Sequence, residues 1–193
     1  MIRLENIEAE VFGKKLFTID EFTFNDGKKY ILTGENGTGK STLLKSFVGL
    51  NDFVKGKIVS DKDIVYQAQN SYIFKKTPRD NFKIIGVDAE EIRDQLEYLE
   101  IDKLIDQDID SLSGGEREKV VFLRSILKAK QTLLLDEPFS QMDKRSRINA
   151  NLFLDKWLRM KDDRLVILIS HGNLCDYTYD YHINLEGKKL SLS

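Results

Sequence analysis

The chain has 193 residues, of which 41% are hydrophobic and 32% charged, a composition that suits one folded domain or two closely joined subdomains. Its 30 basic and 32 acidic side chains nearly balance, so there is no general positive field to hold a phosphate polymer, and we expect no nucleic-acid partner. The one cysteine excludes an internal disulfide, and no apolar run reaches the length of about 18 residues that a bilayer span requires.

The first part of the chain alternates short apolar segments with turn residues. In chain order, these patterns predict short strands at 2–4, 16–19 and 22–24, a hairpin turn at 25–27, a buried strand at 30–33 and a helix at 40–48. The Asn-Asp-Gly sequence at 25–27 favours the hairpin because these residues tolerate positive φ angles. Gly49 is the expected end of the helix.

The remainder of the chain is first helical in pattern and then alternates between strands and helices. The patterns predict strands at 58–59 and 64–66, helices at 90–99 and 116–127, a strand at 132–135, a helix at 144–160, a strand at 165–169 and closing strands at 181–185 and 190–192 around a turn at 187–188. This order, with fully apolar strands, indicates an α/β fold whose parallel sheet is covered on both faces. The stretch from about 71 to 128 is predicted to be an inserted helical subdomain.

A glycine-rich segment between the strand at 30–33 and the helix at 40–48 carries the first chemical signal. Its sequence, GENGTGKS, fits the phosphate-loop pattern G-x-x-x-x-G-K-[ST]. Glycines let consecutive N–H groups face phosphate oxygens, the lysine reaches the β- and γ-phosphates, and the serine hydroxyl is a Mg²⁺ ligand. The predicted ATP-binding residues are the eight of this segment, Gly34, Glu35, Asn36, Gly37, Thr38, Gly39, Lys40 and Ser41, together with Thr42, which follows it.

Two carboxylates, Asp136 and Glu137, stand where a predicted buried strand stops. In a parallel sheet, ligands lie beyond the carboxyl ends of the strands, which is also where a phosphate loop lies. We therefore predict that Asp136 supports Mg²⁺ and that Glu137 is the general base that polarises the attacking water. The alternative is that the two carboxylates are only the polar end of a strand, beside a turn at Pro138. The phosphate loop earlier in the chain favours the functional interpretation over this one.

The sequence LSGGE at residues 112–116 has the character of a second phosphate cradle. A serine and two glycines open a helix, whose first N–H groups are free to bind an anion. Because the first loop already surrounds a γ-phosphate, the turn of Ser113, Gly114 and Gly115 is most useful to a nucleotide held by another copy of the chain. A capping box between Ser113 and Glu116 is the plainer interpretation, and it is compatible with the first.

These three motifs, in this order and spacing, resemble those of the ABC (ATP-binding cassette) family of ATPases, over essentially the whole chain from Ile2 to about His182. The resemblance implies a phosphate-loop NTPase cassette with a mainly parallel core sheet flanked by helices and an N-terminal antiparallel β part. It also implies one ABC ATPase domain over 1–193, with 1–70 and 129–193 as the core and about 71–128 as the inserted helical subdomain.

The resemblance implies further site residues. Phe12 matches the aromatic that stacks on adenine, although the family more often has tyrosine there. Gln69 matches the glutamine that contacts Mg²⁺ and faces a transmembrane partner, with Gln67 left open as the alternative because the family's proline is missing. His171 matches the histidine that contacts the γ-phosphate, and joins Lys40 and Glu137 as a catalytic candidate.

A loop that follows the carboxylates resembles the family's Ser-Ala-Leu-Asp segment. Ser140 and Asp143 are kept and are expected at a dimer seam, whereas Gln141 stands where the family has a small residue. The resemblance therefore implies a homodimer, or a pair with a second ABC subunit, that sandwiches ATP and Mg²⁺ between the two chains.

The function that the resemblance implies is ATP hydrolysis by the motor subunit of a membrane transporter. A polytopic membrane protein would contact the chain near Gln69 and the helical subdomain, and would hold it at the cytoplasmic face of the membrane. The short helical insert and the short C-terminal region resemble export-type subunits. A non-transport ABC ATPase, such as a cluster-assembly factor, remains the alternative.

Overall fold

The computed structural model describes residues 1–74, 76–170, 174–186 and 189–192. Within these ranges the strands are β1 (Ile2–Val11), β2 (Lys14–Phe24), β3 (Lys28–Thr33), β4 (Val54–Ser60), β5 (Ile64–Gln67), β6 (Thr132–Asp136), β7 (Leu165–Ile169), β8 (Tyr181–Glu186) and β9 (Lys189–Leu192). The α-helices are α1 (Lys40–Ser46), α2 (Pro78–Lys83), α3 (Arg93–Tyr98), α4 (Gly114–Lys128) and α5 (Lys144–Arg159). The strands form two sheets.

The N-terminal sheet has three antiparallel strands in the order β2-β1-β4. Buried and exposed residues alternate along β1, as expected of a strand that faces a core on one side and solvent on the other. β1 and β2 are joined by the two-residue turn Phe12-Gly13, in which both φ angles are positive, 48° and 77°. Such a turn matches the right-handed twist of the strands that it connects.

The hairpin predicted at residues 25–27 is wrong. Gly27 does adopt a positive φ of 69°, but β2 pairs with β1, whereas β3 lies in the other sheet between β7 and β8. Turn residues set the local bend of the chain, but strand pairing is decided by packing against more distant segments. For the same reason the short strands predicted before residue 25 are parts of two long strands.

The second sheet has six strands in the order β5-β6-β7-β3-β8-β9, of which the first five are parallel and β9 is antiparallel to β8. Every residue of β6 and β7 is buried. Successive side chains point to opposite faces: Leu133 and Leu135 pack in the core that contains α4 and α5, whereas Leu134 packs with α1 and the N-terminal sheet. The α/β fold with a sheet covered on both faces is confirmed.

The predicted helices are present with shifted ends. The helix predicted at 40–48 ends at Ser46, and those predicted at 116–127 and 144–160 lie within or close to α4 and α5. The helix predicted at 90–99 is broken into a 3₁₀ turn at Ala89–Ile92 and the short α3. The turn predicted at 187–188 lies outside the described residues.

Helices α2, α3 and α4 lie between β5 and β6 in the chain and pack into the same core as one face of the large sheet. The division of the chain into a core and a helical subdomain with the predicted boundaries stays a prediction. None of the helices in the described ranges combines the length and apolar character needed to cross a membrane.

Candidate nucleotide site

The order of the strands brings the predicted motifs to one edge of the large sheet. β7 is hydrogen-bonded to β6 on one side and to β3 on the other, and all three are parallel. In this register Ile169 lies opposite Asp136 on β6 and Leu32 on β3. The phosphate loop and the carboxylates, which follow β3 and β6, are therefore neighbours although about a hundred residues separate them in sequence.

Two positions of the phosphate loop require glycine. Gly34 has a φ of 143°, and a Cβ atom there would lie 2.4 Å from the carbonyl oxygen of Leu185. Gly39, which precedes α1, has a φ of 102°, and a Cβ atom there would lie 2.8 Å from the ring of Phe17. The loop thus owes its path to backbone angles and close approaches that other residues do not allow.

Lys40 is the first residue of α1, and its side chain folds back into the phosphate loop. Its ammonium group donates hydrogen bonds to the carbonyl oxygens of Gly34 and Glu35, both at 2.8 Å. Burial lowers the pKa of Lys40, while the nearby charges of Glu137 and Asp136 act in the opposite direction. A cation held by two carbonyl oxygens can exchange them for phosphate oxygens, which bear more charge.

Asp136, the last residue of β6, is buried and hydrogen-bonded on both carboxylate oxygens. The Ser41 hydroxyl donates to Oδ1 at 3.1 Å, and the Tyr66 hydroxyl donates to Oδ2 at 2.9 Å. These bonds compensate the carboxylate for the water lost on burial. Ser41 and Asp136, which were each predicted to support Mg²⁺, are therefore in direct contact.

Tyr66 contacts the site residue Asp136, a contact that was not predicted from the sequence. Burial and the charge of Asp136 both raise the pKa of Tyr66, so its hydroxyl stays protonated and remains a donor. The order of the strands explains this contact: β5 is the parallel neighbour of β6, so the last residues of both strands reach the edge of the sheet where the phosphate loop lies.

Glu137 follows β6 with a positive φ of 51°, and its N–H donates to the carbonyl oxygen of Ile169 at 3.2 Å. This bond ties the turn to β7. The Gln69 side-chain amide donates to the Glu137 carboxylate at 3.0 Å. Of the two glutamines, Gln69 is exposed at the site, whereas Gln67 is buried in β5 with no hydrogen-bond partner for its Oε1 among the described residues.

These groups surround an open cavity of about 780 Å³. Lys40, Ser41 and Glu137 lie on its wall, together with other predicted site residues: Phe12, Asn36, Gly37, Gly39, Thr42 and Gln69. Three predicted ATP-binding residues shape the loop instead of lining the cavity: Gly34, Glu35 and Thr38. The volume and the mixture of polar and aromatic walls suit a nucleotide.

The oxygen atoms at this cavity fit a Mg²⁺ ion. Ser41 and Asp136 supply a hydroxyl and a carboxylate within 3.1 Å of each other, and Gln69 lies on the same cavity wall. No group of three or more His, Cys, Asp or Glu side chains that could hold a metal was found among the residues that the structure describes. This donor set is the one expected where Mg²⁺ is shared between one or two protein oxygens and substrate phosphates.

Phe12 lies at the tip of the β1–β2 hairpin, on the rim of the cavity, with 96% of its surface exposed. Lys14 and Leu16, which follow on β2, also line the cavity. An aromatic ring so exposed beside a phosphate loop is placed where a purine could stack on it.

Comparison with known proteins identifies the family. The family described as ABC transporter matches residues 17–140, which is more than half of the chain. The chain belongs to the ABC transporter family. The prediction of an ABC ATP-binding cassette is confirmed. The prediction that this cassette is an ATPase is confirmed as well, because members of this family bind and hydrolyse ATP.

Curated relatives of the ABC chain are ATP-binding proteins of import systems. A zinc import ATP-binding protein, ZnuC, of Mannheimia succiniciproducens is 31% identical over 179 residues, which cover 89% of this chain and 67% of the relative. An sn-glycerol-3-phosphate import ATP-binding protein, UgpC, of Psychromonas ingrahamii is 31% identical over 160 residues. That match covers 69% of this chain and 41% of the relative, so the chain spans less than half the length of that protein.

Solved structures support the fold. The structure of an RNase-L Inhibitor superposes with a TM-score of 0.82 at 23% identity, covering 95% of this chain and 36% of that chain. A metal-chelate type ABC transporter in an inward-facing conformation superposes with a TM-score of 0.81 at 22% identity, covering 100% of this chain and 82% of that chain. Both confirm the ABC cassette architecture.

The LSGGE turn of the ABC chain does not line the nucleotide cavity of its own chain. Ser113 caps α4 and forms the expected capping box: its hydroxyl accepts from the N–H of Glu116 at 3.3 Å, and its own N–H donates to the Glu116 carboxylate at 2.8 Å. Gly114 lines an adjoining cavity of about 430 Å³, which shares Gln69 and Glu137 with the nucleotide cavity.

The predicted seam residues have partners within the chain. The Ser140 hydroxyl donates to the Glu118 carboxylate at 2.7 Å, and Asp143 caps α5 by accepting from the N–H of Ser146 at 3.0 Å. Gln141, the departure from the family pattern, lies against the LSGGE turn: a Cβ atom on Gly114 would be 1.8 Å from its Oε1. A seam role for Ser140 and Asp143 stays a prediction.

His171 lies outside the described residues. The chain immediately before it is fixed, because the N–H of buried Ser170 donates to the carbonyl oxygen of Leu32 at 3.4 Å. The other histidine, His182, is hydrogen-bonded to the Thr33 hydroxyl at 2.7 Å and thus helps to hold the strand that enters the phosphate loop.

Proposed function

We propose that the chain binds Mg²⁺–ATP in the 780 Å³ cavity and hydrolyses it as the motor subunit of a membrane transporter. The observation that carries the proposal is the convergence of Lys40, Ser41 and Glu137 on one cavity wall, with Asp136 behind them. Each of these side chains has the chemistry that phosphoryl transfer to water requires.

In this mechanism the Lys40 ammonium exchanges its two loop carbonyls for phosphate oxygens of ATP. Ser41 and Asp136 would hold Mg²⁺, which neutralises negative charge on the phosphates. Glu137 accepts a proton from the attacking water once Gln69 releases its carboxylate. His171, which is predicted to contact the γ-phosphate, would hold that water in line.

We propose further that two cassettes close around two ATP molecules, each supplying its Ser113 turn to the nucleotide of the other. Two features support this arrangement. Within one chain the turn does not line the nucleotide cavity, and its helix N-terminus suits an anion supplied from elsewhere. Contacts to the γ-phosphate stabilise the closed pair, so hydrolysis opens it.

The membrane partner is proposed to be a polytopic protein that contacts the surface near Gln69 and holds the cassette at the cytoplasmic face of the membrane. The sequence features favoured export, but the curated relatives described above are named as import proteins. We therefore propose an import system, and the transported molecule is a property of the membrane subunit.

The decisive experiment uses the Glu137→Gln variant, which keeps the size of the side chain but replaces the proton-accepting carboxylate with an amide. We expect ATP binding to persist, steady-state hydrolysis to fall by about 100-fold or more, and a dimer to accumulate on a sizing column with Mg²⁺–ATP. A variant that turns over ATP at the normal rate would refute the assignment of the base.

The transporter role is tested separately by purification from detergent-solubilised membranes of the native cell. Recovery of a multi-span membrane protein with the chain is the expected result. Recovery of water-soluble partners alone would instead favour the non-transport ATPase.

A further inference from the structure

Phe12, on the rim of the nucleotide cavity, has a second aromatic side chain, Phe53, beside it. The ring centroids of the two residues are 6.1 Å apart and the rings are inclined by 57°. Phe53 is 43% exposed, against 96% for Phe12. Phe53 is therefore the more buried ring of the pair and lies next to the ring on which a base would stack.

Phe53 is held by its backbone from two directions. Its N–H donates to the side-chain oxygen of Asn51 at 3.1 Å, and its carbonyl oxygen accepts from the N–H of Glu10 at 3.0 Å. Glu10 belongs to β1, one strand of the hairpin that carries Phe12. The position of Phe53 is thus fixed relative to that hairpin, just before β4 begins.

Asn51 extends the link to the phosphate side of the site. Its side-chain amide donates to the carbonyl oxygen of Thr42 at 3.0 Å. Thr42 lies in the first turn of α1, directly after the phosphate loop, and lines the nucleotide cavity. A chain of contacts therefore runs from the phosphate loop through Asn51 and Phe53 to Phe12.

An exposed ring at the tip of a hairpin has several accessible rotamers, and the entropy of fixing one of them opposes stacking on a base. A neighbouring ring in a tilted arrangement reduces that freedom, because aromatic pairs prefer offset or edge-to-face contact. Phe53 meets Phe12 in such a tilted contact and is itself hydrogen-bonded in place.

We propose that Phe53 is a positioning residue for base recognition, which orients Phe12 for stacking on adenine while Asn51 sets its distance from the phosphate loop. The inference rests on the proposed function, because it requires that the cavity holds ATP. It adds a residue that touches Phe12 instead of the phosphates, and its effect is confined to the base.

The experiment compares binding of ATP with binding of tripolyphosphate, which carries the phosphates but no base, both with Mg²⁺ and by calorimetry. Phe53→Ala is expected to weaken ATP binding by about 3- to 10-fold, the range that one lost aromatic contact predicts, and to leave tripolyphosphate binding unchanged. Phe53→Tyr keeps the ring and should restore ATP binding. Tyr72→Ala removes another exposed aromatic, 68% exposed, and serves as the matched control.

The orientation of the side chain at position 12 is measured by tryptophan fluorescence in the Phe12→Trp variant. The chain has one native tryptophan, Trp157, which is only 6% exposed and gives a constant background in the parent protein. ATP should quench the new indole by stacking. Adding Phe53→Ala should lower the fluorescence anisotropy of this indole without ATP and reduce the quenching at saturating ATP.

The outcomes separate the inference from the proposed function. If the parent protein binds neither ATP nor tripolyphosphate, the proposed function fails and the inference with it. If Phe12→Ala weakens ATP binding but Phe53→Ala does not, the function stands and the inference is overturned. Equal weakening of both ligands by Phe53→Ala also overturns it, since the residue would then act on the phosphate loop.

Discussion

The two oxygens of the Asp136 carboxylate have separate donors, and each donor comes from a different element. Ser41 belongs to the first turn of α1 and would leave its hydrogen bond to ligate Mg²⁺, whereas Tyr66 on β5 can remain in place. Since the raised pKa of Tyr66 keeps its hydroxyl protonated, this donor is present across the physiological pH range. Tyr66 thus holds one oxygen of a carboxylate whose other oxygen is bonded to Ser41, directly after the phosphate loop's lysine.

Tyr66→Phe tests this role. The variant loses one hydrogen bond to a buried charge, worth about 1.5–3 kcal/mol, so we expect the Mg²⁺ concentration for half-maximal hydrolysis to rise by about 10-fold or more. The measurement is a Mg²⁺ titration of ATPase activity at saturating ATP. Tyr72→Phe, at an exposed tyrosine, is the control, and an unchanged titration of Tyr66→Phe would contradict the role.

The residues of the site differ in how far the sequence could predict them. Lys40 and Glu137 belong to contiguous motifs, in which neighbouring residues set the backbone that presents them, so their place at the cavity was predictable. Tyr66 contacts Asp136 through a hydrogen bond across two strands, and Phe53 contacts Phe12 from the segment between α1 and β4. Such contacts depend on strand order, which no local pattern records.

At the scale of elements, the start of α4 is fixed by the capping box of Ser113 and Glu116. Hydrogen bonds from Ser113 lower the pKa of Glu116, so it is the charged carboxylate that stabilises the fold. That contribution is complete above the unfolded-state pKa of about 4.3 and is lost as the pH falls through the lower folded-state value.

Glu116→Gln should therefore lower the melting temperature by about 1–3 °C at pH 7, and the difference from the parent protein should shrink as the pH falls below about 4. Glu91→Gln, at an exposed glutamate, controls for the change in net charge. The check is thermal unfolding by circular dichroism across that pH range. A difference that stays constant with pH would show that the charge of Glu116 is not involved.

Gln141 and the first turn of α4 are in contact, so changes at the two places are expected to be coupled. A Cβ atom on Gly114 would meet the Gln141 side-chain amide at 1.8 Å, a contact that only movement of Gln141 can relieve. We expect Gly114→Ala to be less destabilising in a Gln141→Ala background than alone, by about 0.5 kcal/mol or more. Denaturant unfolding of the four proteins measures this, and additive changes would exclude the coupling.

The hairpins illustrate what element-level sequence reasoning could not decide. Residues 25–27 and 12–13 both contain glycine, and both turn with positive φ angles. Only the turn at 12–13 joins paired strands, because β3, which follows the turn at 25–27, pairs with β7 and β8 in the large sheet. The apolar strands β6 and β7, by contrast, were predicted almost to the residue, since every side chain in them is buried and the pattern is unambiguous.

At the scale of the whole molecule, the proposed site is built from two chains. A chain with a defective phosphate loop and a chain with a defective Ser113 turn should therefore form one complete site when they pair. Lys40→Ala removes the phosphate-loop cation, and Ser113→Arg blocks the turn offered to the partner. Each variant alone should be inactive. In a mixed pair, the chain with Ser113→Arg keeps its phosphate loop and receives an intact Ser113 from its partner, so one of the two sites is complete.

We therefore expect ATP hydrolysis under single-turnover conditions to reappear when the two purified variants are mixed, although neither hydrolyses ATP by itself. The control is a mixture of Lys40→Ala with the Lys40→Ala, Ser113→Arg double variant, in which no pair has a complete site. Absence of recovery in the first mixture, with both proteins folded and dimerising, would oppose the shared site.

The placement of β3 has a consequence for the order in which the nucleotide is engaged. β3 is paired along both of its edges, so the strand that enters the phosphate loop cannot be displaced without opening two ladders at once. Phe12, on a two-residue turn in solvent, is held less firmly, by the β1–β2 hairpin and by its tilted contact with Phe53. The phosphate end of the cavity can receive the triphosphate by exchanging side-chain hydrogen bonds while its backbone stays in place. We therefore expect docking to begin at the tail of the nucleotide and to finish when the base settles against Phe12.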